Sequence, residues 1–249
     1  MATDLHALAV RQWRDYRARR PGTYFGEAHP ALSRDEAYAV QIAVTRLRCQ
    51  AGDAVAGHKV GCIGPRVVEQ FGMSGPIHAR LFRSELRSSG VALDHGAFAN
   101  LAIEGEMAVR IGRAGTIEAA FPVIELHHFV FRGTPKTLPE LIANNGINAG
   151  AVLPSTMDTP LDHWAGALTV RLNGHAIDQG SLWSMPGGAE EAIAWLRDDM
   201  SRHGLALVPG DIVLTGTPLG LYPVGPGDHV EVAVDGTPCV DCRILAGTS

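Results

Sequence analysis

The sequence is poor in the features that mark secreted, membrane and nucleic-acid-binding proteins. Its 249 residues include four cysteines, which are too few and too scattered for a disulfide framework. No apolar run reaches the roughly 20 residues that span a bilayer, and the charged N-terminus lacks the apolar core of a signal peptide. A formal net charge of -5 argues against nucleic-acid binding. We therefore expect a cytoplasmic protein with no nucleic-acid or membrane partner.

Several common enzyme motifs are also missing. The sequence contains no G-x-S-x-G, P-loop or H-E-x-x-H pattern, which argues against serine hydrolases, NTPases and zinc proteases. Cys239 and Cys242 form a C-x-x-C, but no second pair completes a zinc site. The pair lies in a strand-like run, where residues three apart point to opposite faces of the sheet. This pair therefore does not indicate a zinc or redox function.

The chain changes character near residue 55. Apolar residues at helical spacing over 3–19 predict one helix, and the capping box of Ser33 and Glu36 predicts a second that ends at Gly52. Beyond Val55, short alternating apolar segments are separated by many of the 29 glycines and 15 prolines, and a third helix is predicted at 188–203. The predicted strands cover residues 57–63, 101–111, 120–131, 167–173, 211–216 and 228–234. The sequence thus predicts an α+β fold, with an N-terminal helical unit at 1–54 and a β-rich catalytic domain at 55–249.

A pair of glutamates is the first chemical signal. If residues 101–111 form a strand, Glu104 and Glu106 share one face and stand about 7 Å apart. Two carboxylates in a crowded concave face repel each other unless a proton or a cation lies between them, and oxygen ligands suit Mg²⁺ or Mn²⁺. The same pair also fits an ordinary strand with a polar face, so these two residues alone do not establish a metal site.

Two further charged residues strengthen the metal hypothesis. Glu125 lies within an apolar run, where burial is costly unless the charge is paired or coordinated, although alternation could also place it outward. Lys59 lies between glycines, where it could bind a substrate carboxylate or transfer a proton, or could be an exposed strand lysine. The adjacent His127 and His128 must point to opposite faces of a strand, so we predict supporting or core positions for them rather than metal ligation.

The order of these motifs resembles a known family. The chain is similar to the 2-keto-4-pentenoate hydratase and 4-oxalocrotonate decarboxylase branch of the fumarylacetoacetate hydrolase superfamily. The matching segments are G-H-K-V-G at 57–61, 67–72 with Pro76, I-E-G-E at 103–106, P-V-I-E at 122–125, A-N-N at 143–145, 173–174, Gly180, 195–196, 210–216 and 227–228. Each is weak alone, but their order and spacing together are specific.

The resemblance implies both a fold and a chemistry. It implies a mixed β-roll core, Mg²⁺ or Mn²⁺ on Glu104, Glu106 and Glu125, a functional Lys59 and a homo-oligomer. It also implies a small 2-oxo or 2-hydroxydienoic acid substrate from aromatic catabolism, which reacts through a dienolate whose negative charge the cation stabilises. The residues that we expect near the substrate are His58, Ile77, Asn144, Gly180 and Thr217.

Departures from the family pattern leave the reaction open. Hydratases of the family usually have an acidic residue at the position of Ile77, and in this respect the chain is similar to the decarboxylases. Asn144 stands where the family has an aspartate. The Gly-Thr-Pro turn at 216–218 resembles the hydrolase side of the superfamily, for which Glu27 and His29 could activate water. We predict a metal-dependent lyase, either hydratase or decarboxylase. The alternatives are an acylpyruvate-type C–C bond hydrolase and a catalytically inactive oxo-acid-binding relative.

Overall fold

The fold is taken from a computed structural model, which describes residues 4–19, 32–63, 69, 72–73, 75–128 and 137–247. The described α-helices are α1 (Leu5–Arg17), α2 (Arg34–Gln50), α3 (Leu138–Ala143) and α4 (Gly188–Arg202). The described strands are β1 (Val55–Gly61), β2 (Ile77–Phe82), β3 (Leu86–Ser88), β4 (Val91–Asp94), β5 (Leu101–Ile111), β6 (Ile117–His128), β7 (Asn148–Leu153), β8 (Leu168–Leu172), β9 (His175–Gly180), β10 (Ile212–Leu214), β11 (Tyr222–Pro223), β12 (His229–Val234) and β13 (Thr237–Leu245).

These strands form two sheets. The larger sheet has the order β2-β1-β10-β5-β6-β7-β3, with β11 beside β5, and the smaller has the order β4-β13-β12-β8-β9. The long antiparallel pair β5 and β6 lies at the centre of the larger sheet and places Glu104 directly opposite Glu125. Strand β1 reaches the same sheet through its parallel pairing with β10. The topology therefore brings Lys59 into the sheet that carries the glutamates.

Close packing of the two sheets explains the glycine between the two glutamates. A Cβ atom at Gly105 would lie 2.5 Å from Cγ2 of Val170 and 2.9 Å from Cγ2 of Val232. Ile103 and Met107 flank it in the apolar cluster between the sheets. Because neighbouring residues of a strand point to opposite faces, Glu104 and Glu106 must face away from the smaller sheet.

The helices cover the face from which the glutamates project. Leu8 of α1, with Ala37 and Tyr38 of α2, packs in one apolar cluster with Ile77 and Ala102 of the larger sheet. The carboxylates of β5 therefore lie between a sheet and a helical layer, which removes them from water. In the described part of the chain, no helix is long and apolar enough to cross a membrane.

Local sequence patterns correctly predicted most of the long helices and strands. The predicted helices are confirmed as α1, α2 and α4, and α2 has the predicted capping box, in which Ser33 N–H donates to Glu36 Oε2 at 2.8 Å. The predicted strands correspond to β1, β5, β6, β8, β10 and β12, although residues 129–131 of the third lie outside the described residues. Strands β2, β3, β4, β7, β9 and β11 were not predicted, because short or glycine-containing segments carry little periodic signal. The division at residue 54 stays a prediction.

The packing of Gly105 gives a testable expectation for stability. We expect Gly105→Ala to lower the free energy of unfolding by about 1–3 kcal/mol, because the methyl group overlaps two valines across the sheet interface. Gly225→Ala is the matched control, since a Cβ there meets nothing within 4 Å. Urea unfolding measures both variants. Equal stability of the two variants would show that the two sheets accommodate the added methyl group without a loss of stability.

Candidate metal centre

Three glutamates and one lysine meet under the helical layer. Glu104 and Glu106 project from β5 and Glu125 from β6, while Lys59 comes from β1. Their exposed fractions are 6%, 0%, 1% and 4% respectively, so all four are buried. The structure thus brings together the four residues that the sequence singled out.

Hydrogen bonds hold two of the carboxylates in place. Lys59 Nζ lies 2.5 Å from Glu125 Oε1, and Asn148 Nδ2 donates to the same oxygen at 2.7 Å. The backbone N–H of Gly216 donates to Glu106 Oε2 at 2.7 Å. Glu106 Oε1 is buried without a partner among the described residues, although a buried oxygen normally accepts a hydrogen bond.

The shared burial shifts the pKa values in opposite directions. Burial and the nearby Glu125 carboxylate raise the pKa of Glu106 well above its usual value. Burial opposes ionisation of Glu125 too, but Lys59, His127 and the hydrogen bonds from Glu106 and Lys59 together outweigh it and lower the pKa of Glu125 to about 2. For Lys59, burial is likewise outweighed by Glu125, Glu104 and Glu106, so its pKa is raised. At neutral pH the lysine is therefore charged, whereas burial and the neighbouring carboxylate favour the protonated form of Glu106.

His127 belongs to the same cluster, whereas His128 does not. The Nε2 atom of His127 lies 3.1 Å from Glu104 Oε2 and 3.7 Å from Glu125 Oε2. His128 faces the other way, where its Nδ1 accepts the backbone N–H of Ala99 at 3.0 Å. The prediction that the two rings point to opposite faces is confirmed. Sequence reasoning did not anticipate that His127 would lie among the carboxylates.

A cavity opens from the cluster. It is small, and Lys59, Glu104 and His127 form part of its lining. The rest of the lining is largely apolar and consists of Gly61, Cys62, Met73, Ile77, Leu141, Gly146, Ile147 and Leu221. Glycine is needed beside the lysine, because a Cβ at Gly61 would lie 3.0 Å from Lys59 Cε. The charged cluster therefore borders a small, largely apolar cavity.

The residues expected near the substrate are distributed unevenly. Ile77 lines the cavity. His58 lies on the opposite face of β1 from Lys59, with its Nε2 3.8 Å from Asp211 Oδ2, and burial lowers its pKa to about 3. Thr217 donates its hydroxyl to the Gly105 carbonyl at 2.6 Å, and this bond ties the Gly-Thr-Pro turn to β5.

The other two expected residues have contacts that do not involve the carboxylates. Asn144 accepts a hydrogen bond from Gln12 Nε2 at 2.5 Å, and a Cβ at Gly180 would lie 2.9 Å from Leu219 Cδ2. Glu27 and His29, the suggested water-activating pair of a hydrolase, lie outside the described residues. The roles of all these residues stay predictions.

Two contributors to the site were missed. Asn148 comes from β7, and nothing in its own segment of sequence indicates that it reaches Glu125. Gly216 lies in a segment that carried the family resemblance, but its backbone N–H could not be assigned to Glu106 without the fold. Both contacts join residues that are far apart in the chain.

The residues present fit a divalent cation. Three buried carboxylates face one ammonium, so the cluster has excess negative charge that a proton on Glu106 only partly relieves. Ligand atoms of Glu104, Glu125 and His127 lie within 4.8 Å of one another, and the free Oε1 of Glu106 is a further oxygen donor. Carboxylate oxygens are the donors that Mg²⁺ and Mn²⁺ prefer.

Comparison with known families agrees with this donor set. Residues 86–245, well over half of the chain, match the fumarylacetoacetate (FAA) hydrolase C-terminal family. The chain belongs to this family. The β-rich part with its three glutamates is thus the FAA hydrolase region, and the α+β fold class predicted from the sequence is confirmed.

Individual relatives narrow the resemblance to one branch. The chain is 30% identical to the 2-keto-4-pentenoate hydratase of Burkholderia vietnamiensis over 194 residues, which are 72% of this chain and 74% of that protein. Its fold is similar to that of 4-oxalocrotonate decarboxylase from Pseudomonas putida G7, complexed with magnesium and adipate (TM-score 0.89, 98% of this chain, 99% of that chain, 19% identity). Fumarylpyruvate hydrolase from Pseudomonas aeruginosa, with Mn²⁺ and pyruvate, is less similar (TM-score 0.58, 76% of this chain, 88% of that chain, 17% identity). The predicted resemblance is confirmed, and these relatives support the prediction of a metal-dependent lyase.

A variant of Glu106 separates the effect of this carboxylate on metal binding from its effect on stability. We expect Glu106→Gln to weaken Mg²⁺ or Mn²⁺ binding at least about 100-fold, because a ligand charge is lost. The unfolding midpoint of the metal-free protein should change little, since the amide replaces a carboxyl group whose ionised form is already disfavoured by burial and by Glu125. Calorimetry and thermal melts measure the two effects, with the exposed Glu118→Gln on the same sheet as control. Unchanged metal affinity would contradict the ligand assignment.

The raised pKa of Glu106 also predicts how metal affinity depends on pH. A cation must displace the proton of Glu106, so lowering the pH favours the protonated, metal-free form. We expect the association constant to increase as the pH rises, with up to about one proton released for each cation bound. Calorimetry from pH 6 to 8 in buffers of different ionisation enthalpy measures both quantities. A flat profile without proton release would show that Glu106 is already ionised.

Proposed function

We propose that the protein is a divalent-metal-dependent lyase that acts on short 2-oxo acids. The observation that carries the proposal is the buried cluster of Glu104, Glu106 and Glu125 next to the charged Lys59, at the end of a small cavity. A divalent cation on these carboxylates would supply electrophilic stabilisation of the negative charge that develops on a substrate 2-oxo group. The hydratase and decarboxylase relatives support the same class of chemistry.

Lys59 is proposed to bind and protonate the substrate. Its raised pKa keeps it as an ammonium, which excludes a role as the base in the resting cluster but suits a proton donor or a carboxylate clamp. The contact with Glu125 fixes the direction of the ammonium, and Gly61 and Gly146 leave space around its Cε atom. The ammonium is thus held against Glu125 in the lining of the cavity before substrate arrives.

Within the lyases, the cavity wall favours decarboxylation. Addition of water to a double bond requires a polar group that holds and activates the water. Apart from the charged cluster, the described lining is largely apolar, and Ile77 is part of it. An apolar wall destabilises a second substrate carboxylate, which favours its loss as CO₂ and needs no activated water. A 2-oxo dicarboxylic acid that releases CO₂ therefore suits this cavity better than a hydration substrate.

A two-substrate assay tests this proposal. We expect Mg²⁺- or Mn²⁺-dependent CO₂ release from 2-oxo-3-hexenedioate, abolished by exhaustive chelation, and slower hydration of 2-hydroxypenta-2,4-dienoate. Faster hydration than decarboxylation would indicate a hydratase and would contradict the inference from the apolar cavity wall. Cleavage of an acylpyruvate into pyruvate and a free acid would favour the hydrolase alternative. Binding of oxalate without turnover of any substrate would indicate an inactive relative.

A variant of Lys59 separates catalysis from metal binding. We expect Lys59→Met to lower kcat by about 10²- to 10⁴-fold, the usual contribution of a positioned proton donor. The metal should bind at least as tightly as in the wild type, because the competing ammonium beside Glu125 is gone. Steady-state kinetics and metal titration measure the two effects. The partly exposed Arg110, changed in Arg110→Gln, serves as a control for loss of a positive charge. Full activity of Lys59→Met would exclude the lysine from the reaction.

A further inference from the structure

His127 lies against two of the buried carboxylates. It is 2% exposed, and Glu104 and Glu125 are buried beside it. Its Nε2 atom lies 3.1 Å from Glu104 Oε2, and the ligand atoms of the three residues lie within 4.8 Å of one another. Neighbouring ligand atoms around an octahedral cation with bonds of about 2.1 Å are about 3 Å apart. The imidazole is therefore as close to the carboxylates as a shared cation requires.

The strand geometry fixes the ring in this position. Glu125 and His127 are two residues apart on β6, so both project from the same face. The residue opposite His127 on β5 is Ala102, whose small side chain leaves room for the ring. The other ring nitrogen, Nδ1, is buried and has no partner among the described residues. The polar contacts of the ring in the described structure are thus directed to the carboxylates alone.

We propose that His127 coordinates the cation through Nε2 and makes this site selective for Mn²⁺ over Mg²⁺. The inference rests on the proposed metal-dependent function. Imidazole binds first-row transition metals more readily than it binds Mg²⁺, which prefers an all-oxygen environment. A nitrogen beside Glu104 and Glu125 therefore shifts the preference of a carboxylate site toward Mn²⁺. Coordination requires the proton of the neutral ring to be on Nδ1, which leaves the Nε2 lone pair for the metal.

Magnetic resonance tests the coordination directly. The full-length protein loaded with Mn²⁺, grown once with unlabelled and once with ¹⁵N-labelled histidine, is measured by pulsed EPR. We expect a directly bound nitrogen whose coupling changes with the label and disappears in His127→Gln. His128→Gln is the matched control, because its ring lies next in sequence but faces Ala99 on the other side of the strand. Labelled-histidine coupling that survives in His127→Gln, or is missing from the wild type, would overturn the assignment.

Metal affinities test the selectivity. We expect His127→Gln to weaken Mn²⁺ binding about 10- to 100-fold and to change Mg²⁺ binding by less than about threefold, whereas His128→Gln should alter neither. Equal losses for both metals would mean that His127 only orients Glu104, and would overturn the selectivity. Mn²⁺ binding without a histidine nitrogen refutes this inference but leaves the proposed function standing. A wild-type protein that binds neither metal refutes the proposed function itself.

Discussion

Excess negative charge in a buried space is the constraint on which this structure depends. Glu104, Glu106 and Glu125 share a region from which water is excluded, and Lys59 offers only one positive charge in return. Charges so close together repel strongly at low dielectric, and the pKa of Glu106 is therefore raised well above its usual value. An excess of buried negative charge would destabilise a cluster that binds no metal. In a cluster of carboxylates it favours the binding of a divalent cation.

The fold supplies the rigidity that such a cluster needs. The glutamates stand on two long, directly paired strands rather than on loops, so their spacing is set by the sheet. Behind the sheet, the valines that press against Gly105 fix β5 from the other side. Above it, the helical layer that includes Leu8 and Tyr38 excludes water. Fold and site are thus coupled through a single strand, whose one face is packed and whose other face carries the charges.

The site combines a charged cluster with a largely apolar cavity. The buried glutamates and the lysine stand on an FAA hydrolase core. The cavity beside them has an apolar wall that contains Ile77, and the imidazole of His127 also lines it. The apolar wall bears on which substrate carboxylate can be accommodated, and the imidazole bears on which cation is held. The choice of substrate and the choice of cation therefore depend on different walls of the same small cavity.

Local patterns determined a large part of this protein. Alternation along one strand placed Glu104 and Glu106 on a common face, and a capping box located the start of α2, because both signals depend only on neighbouring residues. The tertiary structure alone decided that Lys59 pairs with Glu125, that Asn148 supports the same carboxylate and that His127 faces the cluster. The order β1-β10-β5-β6-β7 creates these contacts between distant segments. Strand order follows from the packing of the whole chain, which no single segment encodes.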